Sequence, residues 1–201
     1  MSTSRQSHAG GLFVWQRREA ARLDEIDVDL EALRSMSPMV RAYRPRVVLG
    51  VPGDDVHVVA NRMAHRLLTA LGFAVNNLGV MVTETELVDA VSDGVDAVIL
   101  SSINGHALGN CGEVPALLSR LGIDVPVYIG GNLAVGVQSW PLVQRRFLDL
   151  GFQRVFTSGE SLPCGLATIT AELLERLAMG GAEQGQLLGR RPNPAADRCP
   201  A

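Results

Sequence analysis

Asp55 and His57 are the two residues of this 201-residue sequence whose types and spacing most clearly indicate chemistry. They stand two positions apart in the segment Gly53-Asp54-Asp55-Val56-His57. A histidine that binds a metal through one ring nitrogen usually donates its other N–H to a carboxylate, which fixes the tautomer and raises the basicity of the ligand. We therefore interpret His57 as a candidate metal ligand and Asp55 as its hydrogen-bond partner. A general base, a phosphohistidine and a structural histidine are the alternatives at this position.

The other potential metal ligands do not complete a site for a bare ion. Cys111, Cys164 and Cys199 are widely spaced and form no C-x-x-C pair, and no cluster of histidine or acidic residues supplies a zinc-like set. A metal at His57 must therefore arrive with its remaining ligands already attached, which indicates a tetrapyrrole-type cofactor.

Two common catalytic patterns are missing from the sequence. It contains neither G-x-G-x-x-G nor the eight-residue phosphate loop, so nucleotide binding by those routes is not expected. Gly159-Glu160-Ser161 does not supply the G-x-S-x-G turn of a serine hydrolase.

Composition and charge narrow the class of protein. With 47% hydrophobic and 19% charged residues, the chain has the composition of a folded domain with its own core. A net charge of -3 offers no basic surface for nucleic acid or for an anionic membrane. Three observations predict a cytoplasmic location. The cysteines are odd in number and form no C-x-x-C pair, no apolar run approaches the ~20 residues of a membrane helix, and the sequence has no signal-peptide pattern.

The elements that position Asp55 and His57 follow from the pattern of apolar residues. Short β-branched runs alternate with segments of helical period, which predicts a parallel sheet covered on both faces in a flavodoxin-like, doubly wound α/β domain. Thr83 and Glu86 have the spacing of a capping box at a helix start, and Gly72 is placed to end the preceding helix. The predicted strands are 46–51, 73–78, 97–100, 125–129 and 154–156, and the predicted helices are 58–71, 84–92, 114–121, 140–150 and 166–177.

Ligands of such sheets bind at the carboxyl ends of the strands. The loops that follow strands one, three, four and five are therefore the candidate site, and the first, third and fourth contain residues 53–57, 101–106 and 130–132. Each of these three loops has small or polar residues where a core would require bulk. Together they predict a long, shallow groove that fits a large ligand.

The two ends of the chain differ in character from residues 46–178. Leu23, Ile26, Leu30 and Leu33 predict an amphipathic helix over 15–36 that stops near Pro38, within an N-terminal extension of residues 1–45. This helix either covers its own sheet or docks onto a partner subunit. Residues 1–14 are expected to be mobile, and 179–201 are expected to be a disordered tail.

Three segments resemble the small, cobalamin-binding subunit of glutamate mutase, a family also called methylaspartate mutase. The family pattern is D-x-H-x-x-G, followed by S-x-L and then by G-G. The matching segments are Gly53 to Arg62, Ser101 to Gly105 and Tyr128 to Pro141, and the resemblance extends over about residues 46–175. Ile103 replaces the leucine of the pattern, and Ala60 replaces its last glycine, which adds a methyl group beside the path of the ligand.

The resemblance implies adenosylcobalamin as cofactor, with His57 as the axial cobalt ligand in place of the cofactor's dimethylbenzimidazole base. The displaced nucleotide tail would lie between sheet and helices, where small residues allow a close approach to the backbone. Residues 132–136 would continue the wall of this channel. The cofactor-binding residues that the resemblance implies are Asp54, Asp55, Val56, His57, Val58, Ala60, Ser101, Ser102, Ile103, Gly130, Gly131, Asn132, Leu133, Ala134, Val135 and Gly136.

The resemblance also implies a reaction and a partner. The family rearranges L-glutamate reversibly to 3-methylaspartate through a radical made by homolysis of the cobalt–carbon bond. Its substrate lies in a larger barrel subunit, so we expect a heterotetramer, no catalytic residue in this chain beyond cofactor ligation, and no activity of this chain alone. The alternatives are a corrinoid methyl carrier, a B12 sensor and a flavodoxin-like interaction domain without a cofactor.

Overall fold

A computed structural model describes residues 7–92, 94–136 and 138–184 of the chain. Within them, helices alternate with short strands from Arg46 onward, after two helices at the N-terminal side. The strands are β1 (Arg46–Pro52), β2 (Ala74–Val82), β3 (Ala97–Ser102), β4 (Val127–Gly131) and β5 (Arg154–Thr157). The helices are α1 (Ser7–Ser35), α2 (Ser37–Tyr43), α3 (Val58–Leu71), α4 (Glu84–Ser92), α5 (Ala107–Cys111), α6 (Val114–Arg120), α7 (Trp140–Asp149) and α8 (Leu162–Gln184).

The five strands form one parallel sheet in the order β2-β1-β3-β4-β5. This is the flavodoxin-like order, in which the direction of the crossovers reverses between β1 and β3. The predicted fold class is confirmed. Because the strands are parallel, the loops that follow β1, β3, β4 and β5 meet at one edge of the sheet.

Local signals account for the positions of α3 and α4. Gly72 adopts φ 114° at the end of α3 and donates its N–H to the carbonyl of Leu68, as a helix-ending glycine does. At the start of α4 the Glu86 carboxylate accepts from the Thr83 N–H at 2.9 Å, and Thr83 Oγ1 accepts from the Glu86 N–H at 3.2 Å. The predicted bounds of both helices are confirmed.

Several other predicted bounds are wrong. Ser101, Ser102, Gly130 and Gly131 belong to strands rather than to the loops after them, because their backbone groups pair in register between β3 and β4. The short helix α5 was not predicted, since five residues that include Gly109 carry no helical period. Helix α8 begins at Leu162 rather than at residue 166.

The N-terminal and C-terminal predictions also need correction. Helix α1 begins at Ser7 rather than at residue 15, and it ends at Ser35, which agrees with the predicted stop near Pro38. Pro38 itself lies in the first turn of α2, where a proline costs no hydrogen bond. Helix α8 continues to Gln184, past the predicted start of the tail at residue 179. The remainder of the predicted tail, 185–201, and residues 1–6 lie outside the described residues.

The sheet separates two hydrophobic cores. One core lies between the sheet and helices α4 to α7. The other lies on the opposite face and contains residues of α3 and α8 together with Leu33 of α1 and Val40 of α2, both fully buried. Helices α1 and α2 therefore cover this chain's own domain on the face that carries α3 and α8. No helix in the described part of the chain has the length and apolar character that crossing a membrane requires.

Candidate functional site

The fully buried carboxylate of Asp55 organises the edge of the sheet where β1 and β3 end. Its Oδ1 accepts from the backbone N–H of His57 at 3.0 Å and lies 2.6 Å from His57 Nδ1. Its Oδ2 accepts from the Ser102 hydroxyl at 3.0 Å and from the backbone N–H groups of Ile103 at 2.7 Å and Asn104 at 3.1 Å. The predicted contact between Asp55 and His57 is present, and it is part of a larger network.

The five hydrogen bonds keep Asp55 ionised. Burial alone would raise the pKa of this carboxyl, but the donors from Ile103, His57 and Asn104 outweigh burial and hold the pKa well below its usual range. An ionised carboxylate can only accept, so Nδ1 of His57 carries the proton. The lone pair of His57 is consequently on Nε2, and the side chain is 49% exposed.

A second set of hydrogen bonds joins the loops after β1 and β3. Asp54 Oδ1 accepts from Asn110 Nδ2 at 2.8 Å and from Asn104 Nδ2 at 2.9 Å, and these amides lower the pKa of Asp54. Gly53 has φ 68°, and a Cβ there would lie 2.4 Å from the Asn110 side chain. The loop that carries His57 is thus held against α5 by a contact that requires glycine.

Beside this network lies a cavity of about 270 Å³ between the sheet, α3 and α8. Its lining is mostly apolar. Folded domains are close-packed and seldom retain an empty space of this size, so the cavity is a candidate ligand pocket. It is lined by Leu49, Ala60, Asn61, Ala64, Ile99, Leu100, Ser101, Ile103, Tyr128, Ile129, Gly130, Gly131, Asn132, Phe156, Thr157, Ser158, Glu160, Ser161, Leu162, Gly165, Leu166 and Ile169.

Six residues implied by the resemblance line this cavity: Ala60, Ser101, Ile103, Gly130, Gly131 and Asn132. Gly131 has φ 125°, and a Cβ there would lie 2.1 Å from the carbonyl oxygen of Ser102, so only glycine fits this part of the wall. Asn132 connects the loops after β3 and β4, because its Nδ2 donates to the carbonyl of Ile103 at 3.2 Å.

Other implied residues lie elsewhere. Leu133 is buried in the core on the opposite face of the sheet and Ala134 packs against that core, so the expectation that they continue the cavity wall is wrong. Ser102 is buried beneath Asp55. The residues Asp54, Val56, Val58, Val135 and Gly136 are exposed or half-buried outside the cavity, and their contact with a cofactor stays a prediction.

The sequence-based prediction did not include Asn61, and it placed the loop between β5 and α8 in the candidate site without naming any residue of that loop. Asn61 directly follows Ala60, and its position on α3 turns its side chain toward the sheet, which a helical projection of residues 58–71 would have indicated. Thr157 ends β5, and Ser158, Glu160 and Ser161 follow it at the same sheet edge; all four line the cavity. The rule that ligands bind at the carboxyl ends of parallel strands pointed to this loop, but no residue in it matched a motif.

The geometry fits a corrinoid better than a bare metal ion. Among the described residues no group of three histidine, cysteine or acidic side chains is placed to hold a metal. His57 therefore offers one ligand, through Nε2, to a metal that brings the others with it. Ile103, whose N–H binds Asp55, also lines the mostly apolar cavity, which suits a flat aromatic base with a few polar groups.

Comparison with known proteins agrees with this geometry. Residues 45–162 match the family described as the B12 binding domain. A glutamate mutase sigma subunit from Haloarcula marismortui is 40% identical over 131 residues, which cover 65% of this chain and 88% of that protein. The chain belongs to the B12-binding domain family, among the glutamate mutase sigma subunits. The sigma subunit from Clostridium cochlearium is 35% identical over 63% of this chain and 94% of its own length.

Solved structures show the same fold for this B12-binding domain. A cobalamin-binding protein from Desulfitobacterium hafniense superposes with a TM-score of 0.55 at 24% identity, covering 77% of this chain and 75% of that one. The methanol:cobalamin methyltransferase complex MtaBC from Methanosarcina barkeri gives a TM-score of 0.52 at 22% identity, over 66% of this chain and 47% of that one. Helices α1 and α2 precede the residues that match the family.

Proposed function

We propose that this chain is the cobalamin-binding subunit of a glutamate mutase and that Nε2 of His57 is the axial ligand to cobalt. The observation that carries the proposal is the hydrogen bond of 2.6 Å between His57 Nδ1 and the buried Asp55 carboxylate. It leaves the Nε2 lone pair free on a half-exposed ring beside an apolar cavity. The sigma-subunit relatives favour this function over the alternatives of a methyl carrier, a sensor or a domain without a cofactor.

The nucleotide tail of the cofactor would occupy the cavity between the sheet, α3 and α8. Ser101, Ile103, Gly130, Gly131 and Asn132 would contact it, and Ala60 would lie beside its entrance. Asp54, Val56, Val58, Val135 and Gly136, in the loops around His57, would contact the corrin. We propose residues 46–178 as the cobalamin-binding unit and 1–45 as an extension that covers one face of it.

The role of this chain in catalysis would be to hold and orient the cofactor. Adenosylcobalamin supplies, when bound, the homolysis of a cobalt–carbon bond that starts radical rearrangement of glutamate to 3-methylaspartate. The buried Asp55 would keep the proton on Nδ1 of His57 throughout, so that Nε2 stays a ligand and does not become a donor. The apolar lining of the cavity would keep water away from the tail.

The substrate would bind to a partner subunit. Val56, Val59 and Met81 are each more than half exposed. Val56 and Val59 lie within two residues of His57, and the Met81 N–H donates to the carbonyl of Asp55 at 3.2 Å. Such apolar side chains at one edge are typical of a surface that is covered in an assembly. We propose a heterotetramer with a larger, substrate-binding barrel subunit that closes over this edge.

Co-expression with a candidate barrel subunit tests the function. The complex should form 3-methylaspartate from glutamate and adenosylcobalamin, whereas either subunit alone should not. A complex that binds the cofactor yet never rearranges glutamate would remove the mutase function.

Paramagnetic resonance of the cob(II)alamin-loaded protein tests the ligand. We expect coupling to a protein nitrogen in the unaltered chain and its loss in His57→Ala. His106→Ala is the matched control, because His106 is also exposed at this edge but is not proposed as a ligand. Coupling that survived His57→Ala would show that another residue binds cobalt.

A further inference from the structure

Asn61 is a buried polar residue that this domain leaves without a hydrogen-bond partner. Its side chain is 3% exposed, and its Oδ1 has no partner among the described residues. The other fully buried polar residues of the described chain are satisfied: Asp55 and Ser102 bind each other, and the Thr170 hydroxyl donates to the carbonyl of Leu166 at 2.7 Å. Outside the cavity, the half-buried His65 also has a buried ring nitrogen, Nδ1, without a partner. A buried amide without a partner is unfavourable, so folding alone does not account for Asn61.

The position of Asn61 indicates which group its side-chain amide can bind. It lies on α3 and lines the cavity opposite α8, between the half-buried Ala60 and the buried Ala64. Most side chains around it are apolar and offer nothing to an amide. A ligand in the cavity is therefore the partner that the amide can reach, and an amide can both donate and accept.

We propose that Asn61 recognises the nucleotide tail of the cofactor by hydrogen bonds to a polar group of its base or ribose. The inference rests on the proposed function, since it assumes that the tail enters this cavity. It makes Asn61 a specificity-determining residue, which favours a corrinoid that carries a nucleotide over one that lacks it. Apolar contacts with the lining alone would hold the base without distinguishing its polar edge.

Binding of two corrinoids separates this role from a structural one. Hydroxocobalamin carries the nucleotide tail and cobinamide lacks it, so the ratio of their affinities isolates the contribution of the tail. In Asn61→Ala we expect the affinity for hydroxocobalamin, followed by absorbance, to fall about tenfold while that for cobinamide is unchanged. The melting temperature of the cofactor-free variant should not fall, because an unsatisfied amide has been removed from the interior.

His65→Ala is the matched control. His65 lies on the same helix and its Nδ1 is also buried without a partner, but it does not line the cavity. Its replacement should leave the ratio of affinities unchanged. Asn61→Leu provides a second variant with an apolar side chain closer in size to asparagine, and it should show the same selective loss.

Each outcome decides a different point. Equal weakening of both corrinoids together with a lower melting temperature would assign Asn61 a structural role and overturn the inference. An unchanged ratio in both Asn61 variants would overturn it as well. If the unaltered chain bound neither corrinoid, the proposed function itself would fail, and this inference would fail with it.

Discussion

Replacing Asp55 by asparagine should reverse the tautomer of His57. An asparagine keeps one carbonyl oxygen, and three donors from the β3 side compete for it: the Ser102 hydroxyl and the N–H groups of Ile103 and Asn104. Its NH₂ group then faces His57, where it can only donate. Nδ1 of His57 must become an acceptor, and the proton moves to Nε2, the atom proposed to bind cobalt.

The size of the effect follows from the bonds that are lost. Restoring the binding tautomer breaks the hydrogen bond from the new amide to Nδ1 and leaves that NH₂ donor unsatisfied against the Nδ1–H, which costs about 1–3 kcal/mol. Because about 1.4 kcal/mol is a factor of ten, the affinity for cobalamin should fall about 10- to 100-fold. The backbone N–H of His57 also loses its acceptor, so the free energy of unfolding of the cofactor-free protein should fall by about 1–3 kcal/mol.

Titration with hydroxocobalamin measures the affinity, and paramagnetic resonance of the cob(II)alamin form reports whether a protein nitrogen is bound. Asp89→Asn, at an exposed carboxylate on α4, makes the same change of charge away from the site and should behave like the unaltered chain. If Asp55→Asn bound cobalamin within about twofold of the unaltered chain and kept the nitrogen coupling, the account of the tautomer would be refuted.

Three further predictions concern stability. The pKa of Asp55 is lowered from 3.8, so the stability that its ionised carboxylate contributes should be fully present above about pH 4 and be lost as the pH falls. Over this acid range the free energy of unfolding in urea should therefore depend less on pH in Asp55→Asn than in the unaltered chain. An equal pH dependence in the two proteins would contradict this prediction. Leu33→Ala should lower the free energy of unfolding by about 2–5 kcal/mol, because Leu33 is 1% exposed. Leu23→Ala, at a half-exposed position of the same helix, should lower it by less than about 0.5 kcal/mol. Equal losses of stability in the two variants would mean that α1 does not pack as described. Gly131→Ala should lower the melting temperature by much more than Gly79→Ala does. Both glycines have positive φ, but only a Cβ at Gly131 would meet a backbone atom, the carbonyl oxygen of Ser102. Equal decreases in melting temperature would argue against that close contact.

The sequence predicted those features that depend on neighbours along the chain. Asp55 and His57 are two residues apart, so their hydrogen bond forms within one loop. The limits of α3 and α4 follow from Gly72 and from the pairing of Thr83 with Glu86, which are contacts within one turn. The order of strands and helices was likewise sufficient for the fold class, because a buried parallel strand requires an apolar run and a helix requires a different period.

Other features depend on residues that are distant in the sequence. Ser102, Ile103 and Asn104 bind Asp55 across 47 to 49 positions, and only the pairing of β1 with β3 brings them together. Leu133 was expected in the cavity wall, but the turn after β4 directs it into the opposite core. No local pattern distinguishes these outcomes, because the direction of a loop side chain is set by the elements packed around it.

The sequence by itself determined that His57 has a carboxylate beside it at the end of a strand of a doubly wound sheet. The tertiary structure decided that this carboxylate is buried under five donors, which fixes the proton on Nδ1, and that the adjacent cavity contains an unpartnered amide at Asn61. The reason is that hydrogen-bond satisfaction and burial are properties of the packed chain, whereas residue type and spacing are properties of a segment.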